Sequence, residues 1–416
     1  MLDRQAATAF VVSQGEELLS GQTLDTNANF LCDRLTDLGL RVLGAATAGD
    51  RTQDIADVLA ASCARADVVI CTGGLGPTAD DLTAEAASEA FGRPIELRAD
   101  ALQQVEARYR RAGRVMADSN RRQAMLPRGC DLLENPVGTA PGFALDCSPA
   151  RLYCLPGVPF EMKRMWADRV QPDLLDRLAL RPPQRRLFRV LGRGESQLQD
   201  LLGDLPTLFP GVELGFRTSM PENQVKLVAE PDVPGLDDAA VLVRERLGRD
   251  LFSEDGGEEL AAVVGGLLLR RGERLALAES CTGGWISHLI VTEAGSSRWF
   301  DRGWVTYSNQ AKVQDLGVPL ELLEAHGAVS EPCALAMAEG ARARSGADWA
   351  VSVTGIAGPE GGSEDKPVGT VCFGVVGPGV QRTRRMQIPS RGRTPTRRFS
   401  AFIALDMLRR QILSPG

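Results

Sequence analysis

Three short apolar runs constrain this chain more than any other feature. DVVICTGG (residues 67–74), LALAESCTGG (275–284) and WAVSVTGIAG (349–358) each pass from Val, Ile, Leu and Ala straight into a turn of Gly and Thr. A run with little polar alternation reads as a strand buried on both faces, the condition of a central strand in a parallel sheet. In the first two, the turn leads into a helix-like segment. Repetition of strand, turn and helix implies a sheet with helices on both faces.

The first 170 residues or so follow that rhythm. AFVVSQG, RVLGAATAGD and DVVICTGG read as strands, and TNANFLCDRLTDLGL, TQDIADVLAASCARA and LTAEAASEAFG as helices, with Gly39 as a helix stop. RPPQRR (181–186) reads as a linker. Beyond it LFRVLG, ESQLQDLLGDL, VELGFRTS, NQVKLVAE and DDAAVLVRERLG give β, α, β, β, α, a small two-layer α+β domain. SEDGGEE (253–259) marks a second break, after which α/β alternation resumes and ends in a helix, RRFSAFIALDMLRRQIL. The expected architecture is α/β: two three-layer α/β domains with parallel-type sheets, residues 1–172 and 256–416, joined by a small α+β domain, residues 183–252.

Composition excludes several classes. A formal charge of −7 with no unbroken Lys/Arg run disfavours nucleic acid as a partner. No apolar stretch reaches about 18 residues, so no membrane span is expected. The N-terminus, MLDRQAATAFVVS, has an acidic residue and too short an apolar run for a signal peptide. Nine cysteines, none in a CxxC pair, suit a reducing cytoplasm better than a disulfide framework or a zinc site.

Chemistry is concentrated where strands end, since open α/β sheets bind ligands outside the carboxyl ends of their strands. In TGGLGPTADDLT, Gly73, Gly74 and Gly76 let the backbone turn its N–H groups toward an anion. Asp80 and Asp81 precede a helix; one could cap it, and the other could bind a divalent cation or act as a base. GEELLSGQTLDTNANFL adds Glu16, Glu17, Thr26 and Asn27, and LPGVPFEM (155–162) is a third turn. In the last domain ESCTGG, TYSNQAK (306–312) and TGIAGPEGG (354–362) converge as one pocket. Ser280 is the candidate nucleophile and Cys281 its rival. The chain has two histidines, His288 and His326, both read as packed or capping residues. The base for Ser280 is therefore Lys312, assisted by Tyr307, and a neutral lysine requires a dry pocket.

Together these motifs resemble the competence/damage-inducible CinA family over essentially the whole chain. GEELLSGQTLDTNANFL, TGGLGPTADDLT and LPGVPFEMKRM resemble its molybdopterin-binding-like domain. The middle segment is similar to its KH-like connector, although it lacks the GXXG loop with which KH domains clamp nucleotides. AESCTGG, VTYSNQAK, GAVSE, TGIAGPEGG and KPVGTV resemble its nicotinamide-nucleotide amidase domain. The resemblance implies that the last domain deamidates nicotinamide mononucleotide without a cofactor. Ser280 would be nucleophile, Tyr307 and Lys312 its activating partners, and Cys281, Thr282, Gly283 and Gly284 the oxyanion turn. Asn309 and the loop with Thr354, Gly355, Gly358, Gly361 and Gly362 would bind substrate, the loop holding the ribose phosphate. For the first domain it implies cleavage of ADP-ribose to AMP and ribose 5-phosphate with a divalent metal (Mg2+ or similar). Asp50 and Asp81 would be catalytic, Asp80 and Asp81 metal ligands, and Asn27, Gly73, Gly74, Gly76 and Thr78 substrate contacts. By analogy a homodimer is expected. The chain departs from the family pattern at Glu16–Glu17, at Phe160 and in SRGRTPTRR, so Arg393 and Arg397 receive no role.

Overall fold

The structure is a computed structural model that describes residues 7–389 and 392–414. The N-terminal Met1–Ala6 and two residues of SRGRTPTRR, Ser390 and Arg391, lie outside the described residues. Contacts divide the chain into two compact units, Met1–Pro183 and Gln184–Gly416.

The first unit holds strands β1 (Thr8–Gln14), β2 (Arg41–Ala48), β3 (Val68–Thr72), β4 (Ile95–Leu97), β5 (Met125–Pro127), β6 (Asp131–Leu133), β7 (Gly142–Cys147) and β8 (Ala150–Leu155). Its main sheet has the order β2-β1-β3-β8-β7-β6, and β4 pairs with β5 apart from it. The four strands from β2 to β8 are parallel. Side chains alternate along them. Val12, Val69, Cys71 and Cys154 meet Ile55, Leu59 and Ala87 of the helices Thr52–Cys63 and Thr83–Phe91 on one face. Val11, Ile70, Tyr153 and Leu155 meet Leu31, Leu35 and Met165 of the helices Thr26–Asp37 and Pro159–Met165 on the other. Three layers follow from that period of two. Gly39, at φ 85°, ends the helix Thr26–Asp37 as its position suggests.

The second unit begins with β9 (Gln184–Val190), β10 (Val212–Ser219), β11 (Glu222–Ala229) and β12 (Leu251–Glu254), an antiparallel sheet ordered β10-β11-β9-β12. Helices Glu195–Leu202 and Leu236–Leu247 cover it with Leu198, Leu202, Ala239 and Val243. The strand β12 occupies the start of the stretch read as a break; four residues with a polar end carry too little pattern to announce it.

A second sheet follows, of β13 (Leu275–Glu279), β14 (Phe300–Val305), β15 (Trp349–Gly355), β16 (Thr370–Gly377) and β17 (Val380–Gln387), ordered β14-β13-β15-β16-β17. Leu275, Leu277, Val351 and Val353 face the helices Leu260–Arg271, Trp285–Val291 and Arg393–Leu413. Ala276, Ala278 and Ala350 face the helix Glu331–Ser345.

Both large sheets depart in one respect from the parallel-type expectation. β7 is antiparallel to β8 and to β6, and β16 is antiparallel to β15 and to β17. For β7–β8 and β16–β17 the connections dictate this. Ser148–Pro149 and Pro378–Gly379 are all that join β7 to β8 and β16 to β17, and two residues can close only a hairpin. Among the described residues no helix is long and apolar enough to cross a membrane.

Candidate active sites

The register Glu279↔Val305 on the parallel pair β13 and β14 brings the next residues, Ser280 and Thr306, side by side at the strand ends. The helix Asn309–Leu316 starts three residues later. Its N-cap is Ser308, whose hydroxyl accepts from the Ala311 N–H at 3.0 Å. That start aims Lys312 back at the strands. Its side chain is 1% exposed, and Nζ lies 3.2 Å from Ser280 Oγ. Nζ also donates to the Thr306 carbonyl at 2.8 Å and, more weakly, to the Tyr307 carbonyl at 3.4 Å. Burial holds the Lys312 ammonium below its ordinary pKa, opposed only in part by the thiols of Cys333 and Cys281.

The neighbouring thiol answers the question of rivalry. Cys281 is buried, and burial pushes its pKa up to about 12. A neutral thiol is a poor nucleophile. Ser280 therefore has a buried amine within hydrogen-bond distance, while burial disfavours the Cys281 thiolate.

Glu279 holds this turn. It is fully buried, and its carboxylate accepts from Ile286 N–H at 3.1 Å, Ser287 N–H at 2.9 Å and the Ser287 hydroxyl at 2.7 Å. The helix Trp285–Val291 is thus pinned at its start to the end of β13. Gly283 and Gly284 connect them at φ 58° and 89°, conformations that cost other residues strain. The Ser280 N–H donates to the Val353 carbonyl and the Gly283 N–H to the Ser280 carbonyl. Thr282 is fully buried, and its hydroxyl has no partner among the described residues.

The remaining site residues are arranged less directly. Tyr307 gives Lys312 its carbonyl, while its 61% exposed side chain accepts at Oη from Arg393 Nη2 at 2.8 Å. The structure thus pairs the Tyr307 hydroxyl with Arg393 rather than with Lys312. Arg393 Nη1 donates to the Gly358 carbonyl at 2.9 Å, tying Tyr307 to the glycine loop. Within that loop Gly355 packs on β16, Gly358 and Gly362 pack against Val368, and Gly361 has φ 88°. Thr354 is buried and its hydroxyl donates to the Ala328 carbonyl at 2.8 Å, so it ties down GAVSE. Asn309 is exposed at the helix start. Arg397 donates to the carbonyls of Cys281 at 3.1 Å and Thr282 at 2.7 Å, and lies over the Trp285 ring. His288 and His326 are exposed rather than packed. Four residues that pattern reading did not select (Glu279, Thr306, Arg393, Arg397) thus shape the site. The arginines sit in the first turns of a helix distant in sequence, where no local pattern marks them.

In the first unit the centre is Gln14, at the end of β1 and likewise unselected. Its side-chain N–H donates to Asp50 Oδ1 at 2.9 Å and to the Asp80 carbonyl at 3.0 Å, and its Oε1 accepts from the Thr83 hydroxyl. Asp50 also accepts from the Glu16 N–H at 3.2 Å. Gly73 and Gly74, at φ 107° and 64°, leave room for Gln14: a Cβ on Gly74 would stand 1.6 Å from its Oε1. Gly76 likewise makes room for Asp81. Asp81 accepts from Thr78 N–H at 2.8 Å and Thr78 Oγ1 at 2.5 Å, and Asp80 is exposed. Neither aspartate caps the helix Thr83–Phe91, which corrects that expectation; Thr78 has taken the Asp81 oxygen instead. Asn27 donates to Thr72 Oγ1 at 3.2 Å and the Gly157 carbonyl at 2.7 Å, joining LPGVPFEM to β3. Its Oδ1 is buried without a partner among the described residues. Glu17 and Thr26 are exposed around this centre.

Among the described residues no group of three or more His, Cys, Asp or Glu is arranged to hold a metal ion. With one Asp81 oxygen engaged by Thr78, Asp80 and Asp81 do not form a metal cage of their own.

Residues 257–412 match the family model described as the CinA C-terminal domain, and residues 10–176 the one described as "Probable molybdopterin binding domain". A CinA-like protein of Citrifermentans bemidjiense is 46% identical over 97% of this chain and 97% of its own. A CinA-like protein of Anaeromyxobacter dehalogenans is 42% identical over 96% of this chain and 98% of its own. The solved structure of a competence/damage-inducible protein from Agrobacterium tumefaciens is 45% identical, covers 36% of this chain and 92% of its own, and has a TM-score of 0.36.

Proposed function

The chain belongs to the CinA family, and on that premise we propose that its C-terminal domain hydrolyses nicotinamide mononucleotide to nicotinate mononucleotide and ammonia. One observation carries the reading, the 3.2 Å approach of a buried Lys312 amine to Ser280 Oγ. A neutral lysine amine has two N–H donors and one lone pair. The Thr306 and Tyr307 carbonyls occupy the donors, which turns the lone pair toward Ser280.

The sequence of steps follows from that geometry. Ser280 Oγ attacks the carboxamide carbon as Lys312 takes its proton. The developing oxyanion needs backbone donors, and the turn can offer N–H groups of Cys281 and Thr282, since those of Ser280 and Gly283 are engaged. Lys312 returns the proton to the leaving nitrogen and ammonia departs, leaving an ester on Ser280. Water, deprotonated by the same amine, then releases nicotinate mononucleotide and restores the serine. Arg393, next to Tyr307 and Gly358, supplies positive charge for the ribose phosphate. Ammonia release should persist in a chelator and fall at least about 100-fold in Ser280→Ala and Lys312→Ala. Turnover that survives Ser280→Ala and disappears in Cys281→Ala would overturn the assignment.

A second reading concerns the N-terminal domain, as a hydrolase of ADP-ribose giving AMP and ribose 5-phosphate. The Gln14-centred network, which places Asp50 and the Asp80–Asp81 turn together, favours it. Asp50 and Asp81 would orient the attacking water. The divalent metal is a requirement to test, because the protein side chains do not enclose one. AMP formation with and without Mg2+ decides: no AMP under either condition would leave this domain a binding module for a nucleotide or pterin. A reducing cytoplasm and a homodimer complete the proposal; light scattering tests the latter.

A further inference from the structure

The Ser280 turn is bonded from outside by a cation with no step of its own in the reaction. Arg397 stands early in the helix Arg393–Leu413 and is half-buried. Its Nε donates to the Cys281 carbonyl at 3.1 Å and its Nη2 to the Thr282 carbonyl at 2.7 Å. The guanidinium lies over the Trp285 ring, 5.3 Å from its centroid, and a Cβ on Gly283 would stand 3.2 Å from Nη2. Among the described residues no carboxylate pairs with Arg397, so its charge falls on the two carbonyls. A tie that only fastened the helix to the turn could use a neutral donor. It would spare the cost of a charge beside Cys281 and Thr282, which are 4% and 0% exposed.

Those two carbonyls belong to the peptide groups on which an oxyanion depends. A peptide is one resonant unit, so a cation drawing electron density at its oxygen makes its N–H a stronger donor. The Cys281 carbonyl shares its peptide with the Thr282 N–H. The Thr282 carbonyl shares its peptide with the Gly283 N–H, which donates to the Ser280 carbonyl at 3.0 Å. That carbonyl in turn shares its peptide with the Cys281 N–H. Arg397 thus reaches the Thr282 N–H through one peptide, and the Cys281 N–H through two peptides and a hydrogen bond. Of the N–H groups from Ser280 to Gly283, these are the two with no backbone acceptor among the described residues.

We propose, on the basis of the amidase reading, that Arg397 is a positioning residue of that reaction. It fixes the oxyanion turn and polarises both of its free N–H groups. Strengthened donors favour the oxyanion of the tetrahedral intermediate over the neutral carboxamide. The effect therefore falls on kcat and leaves KM nearly unchanged. Arg393, one helical turn earlier, has the other task, at the ribose phosphate.

Steady-state ammonia release by the full chain, with a thermal melt of each variant, tests this. Arg397→Gln keeps an N–H donor and loses the charge; its kcat should fall about tenfold with KM within about twofold of wild type. Arg397→Lys keeps the charge and should lose no more than about threefold in kcat. Equal losses in the two variants would reduce Arg397 to a tether and overturn the proposal. So would an unchanged kcat in Arg397→Gln, or a higher KM without a lower kcat, which would place the guanidinium on the substrate phosphate. If Arg397→Gln melts well below wild type, Arg397→Ala supplies the reading. Guanidinium ion should restore its kcat, while urea, neutral and of the same shape, should not; equal recovery with both overturns the role of charge. A wild type that releases no ammonia fails the amidase reading itself. An active wild type with an indifferent Arg397→Gln fails this inference alone.

Discussion

At the residue scale the pivotal feature is the burial of Lys312, which favours the neutral amine that the proposed reaction needs and makes its charge costly. The sign of the pH effect follows. A lysine whose folded pKa is depressed binds its proton more tightly unfolded, so stability rises with pH between the depressed folded value and the ordinary one. Below that window the folded chain bears the whole cost; above it, none. Lys312→Met removes this dependence. The melting temperature of the variant relative to wild type should therefore fall as the pH rises toward the ordinary lysine value, while ammonia release is lost throughout. A difference independent of pH would mean that Lys312 titrates normally and cannot serve as the base. Gly74 poses the corresponding question in the first unit. Gly74→Ala meets both a left-handed φ and the Gln14 amide, and should cost about 1–3 kcal/mol. It should impair ADP-ribose cleavage and spare ammonia release. Unimpaired AMP formation in a stably folded Gly74→Ala would remove Gln14 from the mechanism.

At the element scale the site depends on how β13 is joined to the helix after it. Glu279 is the last residue of β13 and the anchor of the helix Trp285–Val291, so it sets where the intervening Ser280 turn sits. Glu279→Gln keeps the size, loses the charge and replaces one acceptor with a donor facing Ser287. A loss of about 1–3 kcal/mol is expected, with a fall in kcat larger than any change in KM. Denaturant unfolding and steady-state ammonia release measure the two effects; an unchanged kcat would show that the turn is held by other means. This element also marks the limit of what the sequence discloses. LALAESCTGG announces a buried strand, a hydroxyl and a glycine turn, and TYSNQAK places Lys312 one helical turn beyond the next strand, so the Ser–Lys pair is legible. Glu279 is not, because a carboxylate after an apolar run usually reads as the start of solvent exposure. Arg393 is not, because its partners, Tyr307 and Gly358, are 86 and 35 residues away. The hairpins at the sheet edges were legible only in their two-residue turns, and β12 in nothing stronger than Leu251 and Phe252.

At the scale of the whole molecule, the family match beginning at residue 257 and the physical unit beginning at Gln184 draw different boundaries. The packing explains the difference. Leu191 and Phe252 of the small domain belong to the same apolar cluster as Leu260, Leu268 and Leu408. The helix Arg393–Leu413 is bonded there as well. Arg409, 2% exposed, donates to the carbonyls of Leu251 at 3.1 Å and Arg249 at 2.5 Å, and Arg410 to the Leu191 carbonyl at 3.2 Å. A fragment of residues 184–416 should fold and release ammonia as the full chain does. A fragment of residues 257–416 exposes that apolar surface and strips two arginines of their carbonyl acceptors. Each such charged hydrogen bond is worth about 1.5–3 kcal/mol, so its melting temperature should lie at least about 5 °C lower. Because the helix it loosens also bears Arg393, its KM for nicotinamide mononucleotide should rise with little change in kcat. Equal melting temperatures and equal KM in the two fragments would show that the small domain is merely adjacent to the CinA C-terminal domain and contributes nothing to its pocket.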